Sequence, residues 1–152
     1  MPTEVEFHTG IADPVRFACR LLRKAMRRGA SLVCTAPPPV LDELDRALWT
    51  FDERDFVPHV RVPPAPSALA ARTPIWLCAR AGDEAQGRVL VNLGAGAPAS
   101  AAPFERLIEL VGTEPQEAAA ARARWRAYQA QGLAVCHHGP GAPGRRIDDE
   151  RR

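Results

Sequence analysis

Apolar positions along this chain fall into short runs that switch between two periods, and the switching predicts strands interleaved with helices. Val5 and Phe7 alternate with polar neighbours from Glu4 to His8, which predicts a first strand. Asp13-Pro14 then supplies an N-cap followed by a residue suited to a first helical turn. Val15, Ala18, Cys19, Leu22, Ala25 and Met26 recur at helical spacing. Arg16, Arg20, Arg23, Lys24, Arg27 and Arg28 fall largely on the opposite side, and Gly29 closes the helix. Ala30 to Ala36 is an apolar run of the buried-strand kind, so the first three elements form a right-handed parallel unit. Pro37, Pro38 and Pro39 end that strand and start a second helix, whose core stripe is Val40, Leu41, Leu44, Ala47 and Leu48.

Phe56 to Val62 predicts the next strand, and its Pro58 places it at an edge or a bulge. Pro63 to Pro74 has no period and reads as a loop. Ile75 to Arg80 and Arg88 to Leu93 read as central strands separated by a turn over Ala81 to Gly87. After a Gly/Ala/Pro loop from Asn92 to Ala102, Phe104, Leu107, Ile108 and Val111 predict a short helix packed on the sheet. The last helix has capping-box spacing between Thr113 and Gln116, with Pro115 in its first turn and Gly132 at its end. Leu133 to Cys136 adds a terminal strand. The expected architecture is a three-layer α/β domain with a mostly parallel central sheet over residues 1–136, followed by a disordered tail over residues 137–152.

Composition narrows the function classes. The chain has 152 residues and 46% apolar content, enough for one domain with a real core. A net charge of +2 lacks the strong field of a dedicated duplex-DNA binder. Positive charge is nearly all arginine, which favours planar contacts to carboxylates. Cys19, Cys34, Cys78 and Cys136 are far apart, as expected of buried free thiols in a reducing cytoplasm. Neither a signal segment nor a membrane span is expected, so the protein is read as cytoplasmic.

Candidate catalytic chemistry is sparse. Gly94-x-Gly96-x-x-Ala99 follows a strand, but Pro98 and Pro103 separate it from any helix, which a dinucleotide site needs opened directly by the glycines. Cys136-His137-His138 is a fragment of a metal site with no second Cys/His cluster to complete it. His8 and His59 read as isolated. Asp42, Glu43, Asp45, Asp52, Glu53 and Asp55 cluster on a helix face and turn expected to be wet. No catalytic residue, cofactor or metal ligand is assigned.

Two stretches suggest binding instead. Trp49 and Phe56 flank a polar turn as an aromatic anchor. In Arg122-Ala-Arg124-Trp125-Arg126-Ala-Tyr128, the residues Arg122, Trp125, Arg126 and Gln129 share one helical face. Ala119, Ala123, Ala127 and Ala130 are expected to pack on the sheet. Two guanidiniums beside an indole suit an acidic peptide ending in an apolar residue with a free carboxylate. They also suit stacking on single-stranded bases, and the plain alternative buries Trp125 and leaves the arginines in water.

The run Asp45 to Trp49 (D-R-A-L-W), followed by Phe56 to His59 (F-V-P-H), resembles the chi-subunit family of bacterial DNA polymerase III. Arg122 to Tyr128 is similar to that family's R-x-R-[YW]-[KR]-x-Y motif. The resemblance covers about Thr3 to Cys136. It implies a Rossmann-like fold with no nucleotide bound and no catalytic activity of its own. It further implies an accessory of the clamp loader that bridges two partners in DNA replication: the psi subunit, and the acidic C-terminal tail of single-stranded-DNA-binding protein. Single-stranded DNA would be met only indirectly, and no membrane is involved. Carried over by position, Trp49 and Phe56 belong to the psi-facing surface, and Arg122, Trp125, Arg126 and Gln129 to the tail-binding pocket. Ala118 stands where the family often has a basic residue. The competing expectations are a direct single-stranded nucleic acid binder and a small nucleotide-binding α/β enzyme.

Overall fold

The computed structural model describes residues 3–50, 52–54, 56–62 and 67–139. Its strands are β1 (Glu4–Ile11), β2 (Leu32–Thr35), β3 (His59–Arg61), β4 (Ile75–Cys78), β5 (Val89–Asn92), β6 (Arg106–Gly112) and β7 (Ala134–His138). The helices are α1 (Pro14–Arg27), α2 (Pro38–Thr50), α3 (Ser67–Arg72) and α4 (Pro115–Ala130). All strands pair in parallel in one open sheet of order β3-β4-β2-β5-β6-β1-β7. Because the side-chain period of a strand is two, alternate residues build two cores. Leu32, Cys34, Ile75, Leu77, Ile108 and Leu110 meet α1 and α2 on one face. Val33, Trp76, Leu90, Leu107 and Val111 meet α3 and α4 on the other. The three-layer α/β expectation holds, with a sheet parallel throughout.

Local chemistry explains several boundaries. Asp13 caps α1 by accepting from the Arg16 backbone N–H at 3.1 Å, with Pro14 at the first helical position. Leu41, Leu44 and Leu48 are the buried stripe of α2. The strand with Pro58 before it, β3, is an edge strand, and it is shorter than expected because Phe56 to Pro58 lie outside it. Gly132, at φ 81°, ends α4.

Five expectations are corrected. Residues 104–111 do not form a helix: Arg106–Gly112 is the strand β6, pairing with both β1 and β5. A strand buried on both faces is apolar on both, and here Glu109 interrupts the run so that Phe104, Leu107, Ile108 and Val111 mimic a helical period. The Pro-rich loop contains the helix α3. Thr113 does not cap α4; the N-cap is Glu114, without a side-chain bond, because Pro115 takes the first helical position. The alanines at 119, 123, 127 and 130 are exposed, and Ala121, Arg124 and Tyr128 face the sheet instead. Finally, β7 runs to His138, two residues into the expected tail; residues 140–152 lie outside the described part.

Three of the cysteines are buried free thiols as expected, whereas Cys136 is exposed. Burial pushes the thiols of Cys19 and Cys78 up to about 11.

Candidate functional site

Helix α4 is seated by a charge in the core. Glu109 of β6 is fully buried, and its carboxylate accepts from Arg124 Nε at 3.0 Å, Tyr128 Oη at 2.6 Å and Asn92 Nδ2 at 3.0 Å. Burial pushes the Glu109 carboxyl up from its ordinary range, and these donors oppose that push. This arrangement turns Arg124 inward and fixes the helix rotation, so that Arg122 and Arg126 face outward. Arg124 is therefore the one arginine of the motif that belongs to the interior.

Rotation of α4 in that sense opens a cleft of about 750 Å³ between the helix and the end of β1. Arg122, Trp125, Arg126 and Gln129 all line it, with Phe7 and His137 on its other wall. Trp125 is half-buried, its ring 4.9 Å from Phe7 and edge-on to His137 at 6.2 Å. The indole thus forms a wall instead of a core residue. His137, read as part of a tail, bonds Thr9 across the cleft floor; its place was hidden in the sequence because it depends on β7 pairing with β1. Ala118 also lines the cleft. An apolar trough flanked by two exposed guanidiniums can hold a side chain and a carboxylate together.

The aromatic pair stands at a separate place. Trp49 is 57% and Phe56 61% exposed, with ring centroids 5.3 Å apart. The two rings are tilted by 39° and together form an exposed apolar patch. His59 supports Trp49 from beneath at 5.0 Å. Its Nδ1 donates to the Val57 carbonyl and its Nε2 meets Asp45, both at 2.7 Å. Asp42 pairs with Arg61 and Asp52 with Arg23, at 2.9 and 2.7 Å. These pairs tie α2 and the turn after it to β3 and α1; Asp55 lies outside the described residues.

The glycine loop does not open a helix. Asn92 instead ties it internally, exchanging bonds with the Ala95 N–H and carbonyl at 2.8 Å. A second cavity, of about 400 Å³, lies beyond the ends of β5 and β6, where α/β sheets often take ligands. Asp13, Glu43 and Glu117 line it together with Arg124, whose guanidinium is already held by Glu109, and this acidic balance disfavours nucleotide phosphates. His8 is not isolated: the parallel pairing of β1 with β7 sets it beside Glu6 and His138. No helix among the described residues is long and apolar enough to cross a membrane.

Residues 1–136 match the family described as DNA polymerase III chi subunit, HolC. The chain is also 35% identical over 144 residues to DNA polymerase III subunit chi of Pseudomonas aeruginosa strain PAO1, covering 90% of this chain and 96% of that relative.

Proposed function

The chain belongs to the DNA polymerase III chi-subunit family, and from that premise we propose that it works as a non-catalytic bridging adaptor in the cytoplasm. One surface, around Trp49 and Phe56, docks the psi subunit of the clamp loader. The other, the α4 cleft, captures the acidic C-terminal tail of single-stranded-DNA-binding protein. Coated template is thereby kept close to the replication machinery, and the chain itself touches single-stranded DNA only through that protein. In this reading residues 1–136 carry both surfaces.

The observation behind this reading is the convergence of Arg122, Trp125, Arg126 and Gln129 on one apolar cleft. Arg122 and Arg126 grip the terminal and side-chain carboxylates, while Trp125 and Phe7 wall the apolar residue before the chain end. A clamp of this size binds at about micromolar strength, roughly −8 kcal/mol. Many tails displayed on one coated strand then raise the effective affinity through multivalency.

Titration of the chain into a fluorophore-labelled peptide carrying that tail, followed by anisotropy, tests the assignment. Arg122→Ala and Arg126→Ala should each weaken binding by about tenfold or more while the far-UV circular dichroism is unchanged. Equal affinity in both variants and the parent would sink the cleft. Tight binding of a bare oligonucleotide, in the absence of the coating protein, would instead favour direct nucleic acid recognition.

A further inference from the structure

On the sheet face opposite the cleft, the pairing of the edge strand β7 with β1 assembles chemistry that neither strand holds alone. Register sets Glu6 opposite Cys136 and His8 opposite His138. The period of two brings all four side chains to the same side, towards α1, where Phe17 lies 5.9 Å from the His8 ring. Glu6, His8 and His138 are buried, and ligand atoms of the three lie within 4.8 Å of one another. We propose that Glu6, His8 and His138 form a binding site for a divalent transition ion of the zinc class, with the Cys136 thiol as the adjacent fourth donor.

Geometry favours this over a simple hydrogen-bonded cluster. Oxygen or nitrogen donors on a tetrahedral zinc ion stand about 3.3 Å apart, given metal–ligand bonds of about 2.0–2.1 Å. Oε2 of Glu6 lies 3.3 Å from Nε2 of His8, and Sγ of Cys136 lies 3.7 Å from Nε2 of His138. The His8 and His138 rings lie against each other, their centroids 4.7 Å apart and their planes within 12°. Nδ1 of His8 is buried without a hydrogen-bond partner, so among the described residues the ring's only polar contact is the one its Nε2 makes to Glu6 inside the cluster. Arg106 holds the Glu6 carboxylate through Nε at 3.1 Å and a terminal nitrogen at 2.9 and 3.0 Å. Such a clasp orients a ligating carboxylate from behind. A mixed N, O and S donor set suits zinc better than magnesium or calcium. An ion at this place would pin β7 to β1, and with it His137 on the reverse side of the same strand.

The test uses the full chain, freed of metal by a chelator and then given Co²⁺ or Zn²⁺ alone. One equivalent of Co²⁺ should give the intense visible bands of a tetrahedral centre, with a near-ultraviolet sulfur charge-transfer band. Excess Zn²⁺ should raise the Tm. Cys136→Ser, at an exposed position, should fold normally and lose the charge-transfer band with at least a tenfold weaker ion affinity. His138→Gln should lose the visible bands. Failure of the parent to bind either ion at micromolar concentration would overturn the site. Binding unchanged in both variants would overturn it equally, because the ion would then sit elsewhere, such as at His59 and Asp45.

Discussion

Arg124 Nε and Glu109 Oε1 meet at 3.0 Å inside the protein, where the glutamate has no solvent exposure at all. Removing one partner of such a pair leaves a buried charge uncompensated. Arg124→Ala should therefore destabilise the fold by about 3–5 kcal/mol. The neighbouring Arg122→Ala and Arg126→Ala, being exposed, should stay within about 0.5 kcal/mol of the parent. Urea unfolding of the three variants checks this, and equal midpoints for all of them would refute the inward role of Arg124.

Ala118 lines the cleft one turn before Arg122. A guanidinium there would add a charge-assisted contact to an acidic tail, so Ala118→Arg should tighten tail binding by about fivefold, or roughly 1 kcal/mol. The gain should fade as salt rises, since rim charges are screened. Isothermal titration of parent and variant at two ionic strengths measures both effects.

Trp49 and Phe56 give little to the core, being more than half exposed. The double change Trp49→Ala and Phe56→Ala should leave the Tm within a few degrees of the parent and abolish capture of the psi subunit in a pull-down, while tail binding persists. Retained capture would move the psi surface elsewhere.

Glu6 supplies a pH dependence. Burial alone would raise its carboxyl, but the His8 hydrogen bond and the Arg106 charge outweigh burial and hold it at about 2, against an ordinary 4.5. A value depressed by folding means stability that is complete above pH 4.5 and lost as the pH falls towards 2. Urea midpoints measured across that window should fall more steeply for the parent than for Glu6→Gln. Parallel curves would show that Glu6 is not the group responsible.

How far the sequence could be read depended on whether the deciding contact was local. Asp13, Pro14 and Gly132 act through their own backbone, and they mark the helix ends as expected. The outward face of α4 was also legible, because Arg122, Trp125, Arg126 and Gln129 follow from helical spacing alone. Its inward face was not. Three-residue and four-residue steps made an alanine stripe look like the core, whereas the buried face is set by Tyr128 and by an arginine whose partner sits on β6. The same long-range pairing disguised β6 itself: Glu109 breaks an apolar run in the sequence, yet in the fold its charge is met from above. His8 and His138 are separated by most of the chain and become neighbours only through strand order, which no local period reveals.

Strand β1 lies between β6 and β7, so the first strand of the domain completes its hydrogen bonding only with the domain's last two strands. Phe7 on one wall of the cleft and Trp125 on the other are thus joined across most of the domain's sequence, a long-range contact that forms late in folding. Without β7, strand β1 would present a bare edge and the cleft would lose His137 from its wall, so the integrity of the trough depends on the outermost strand of the sheet.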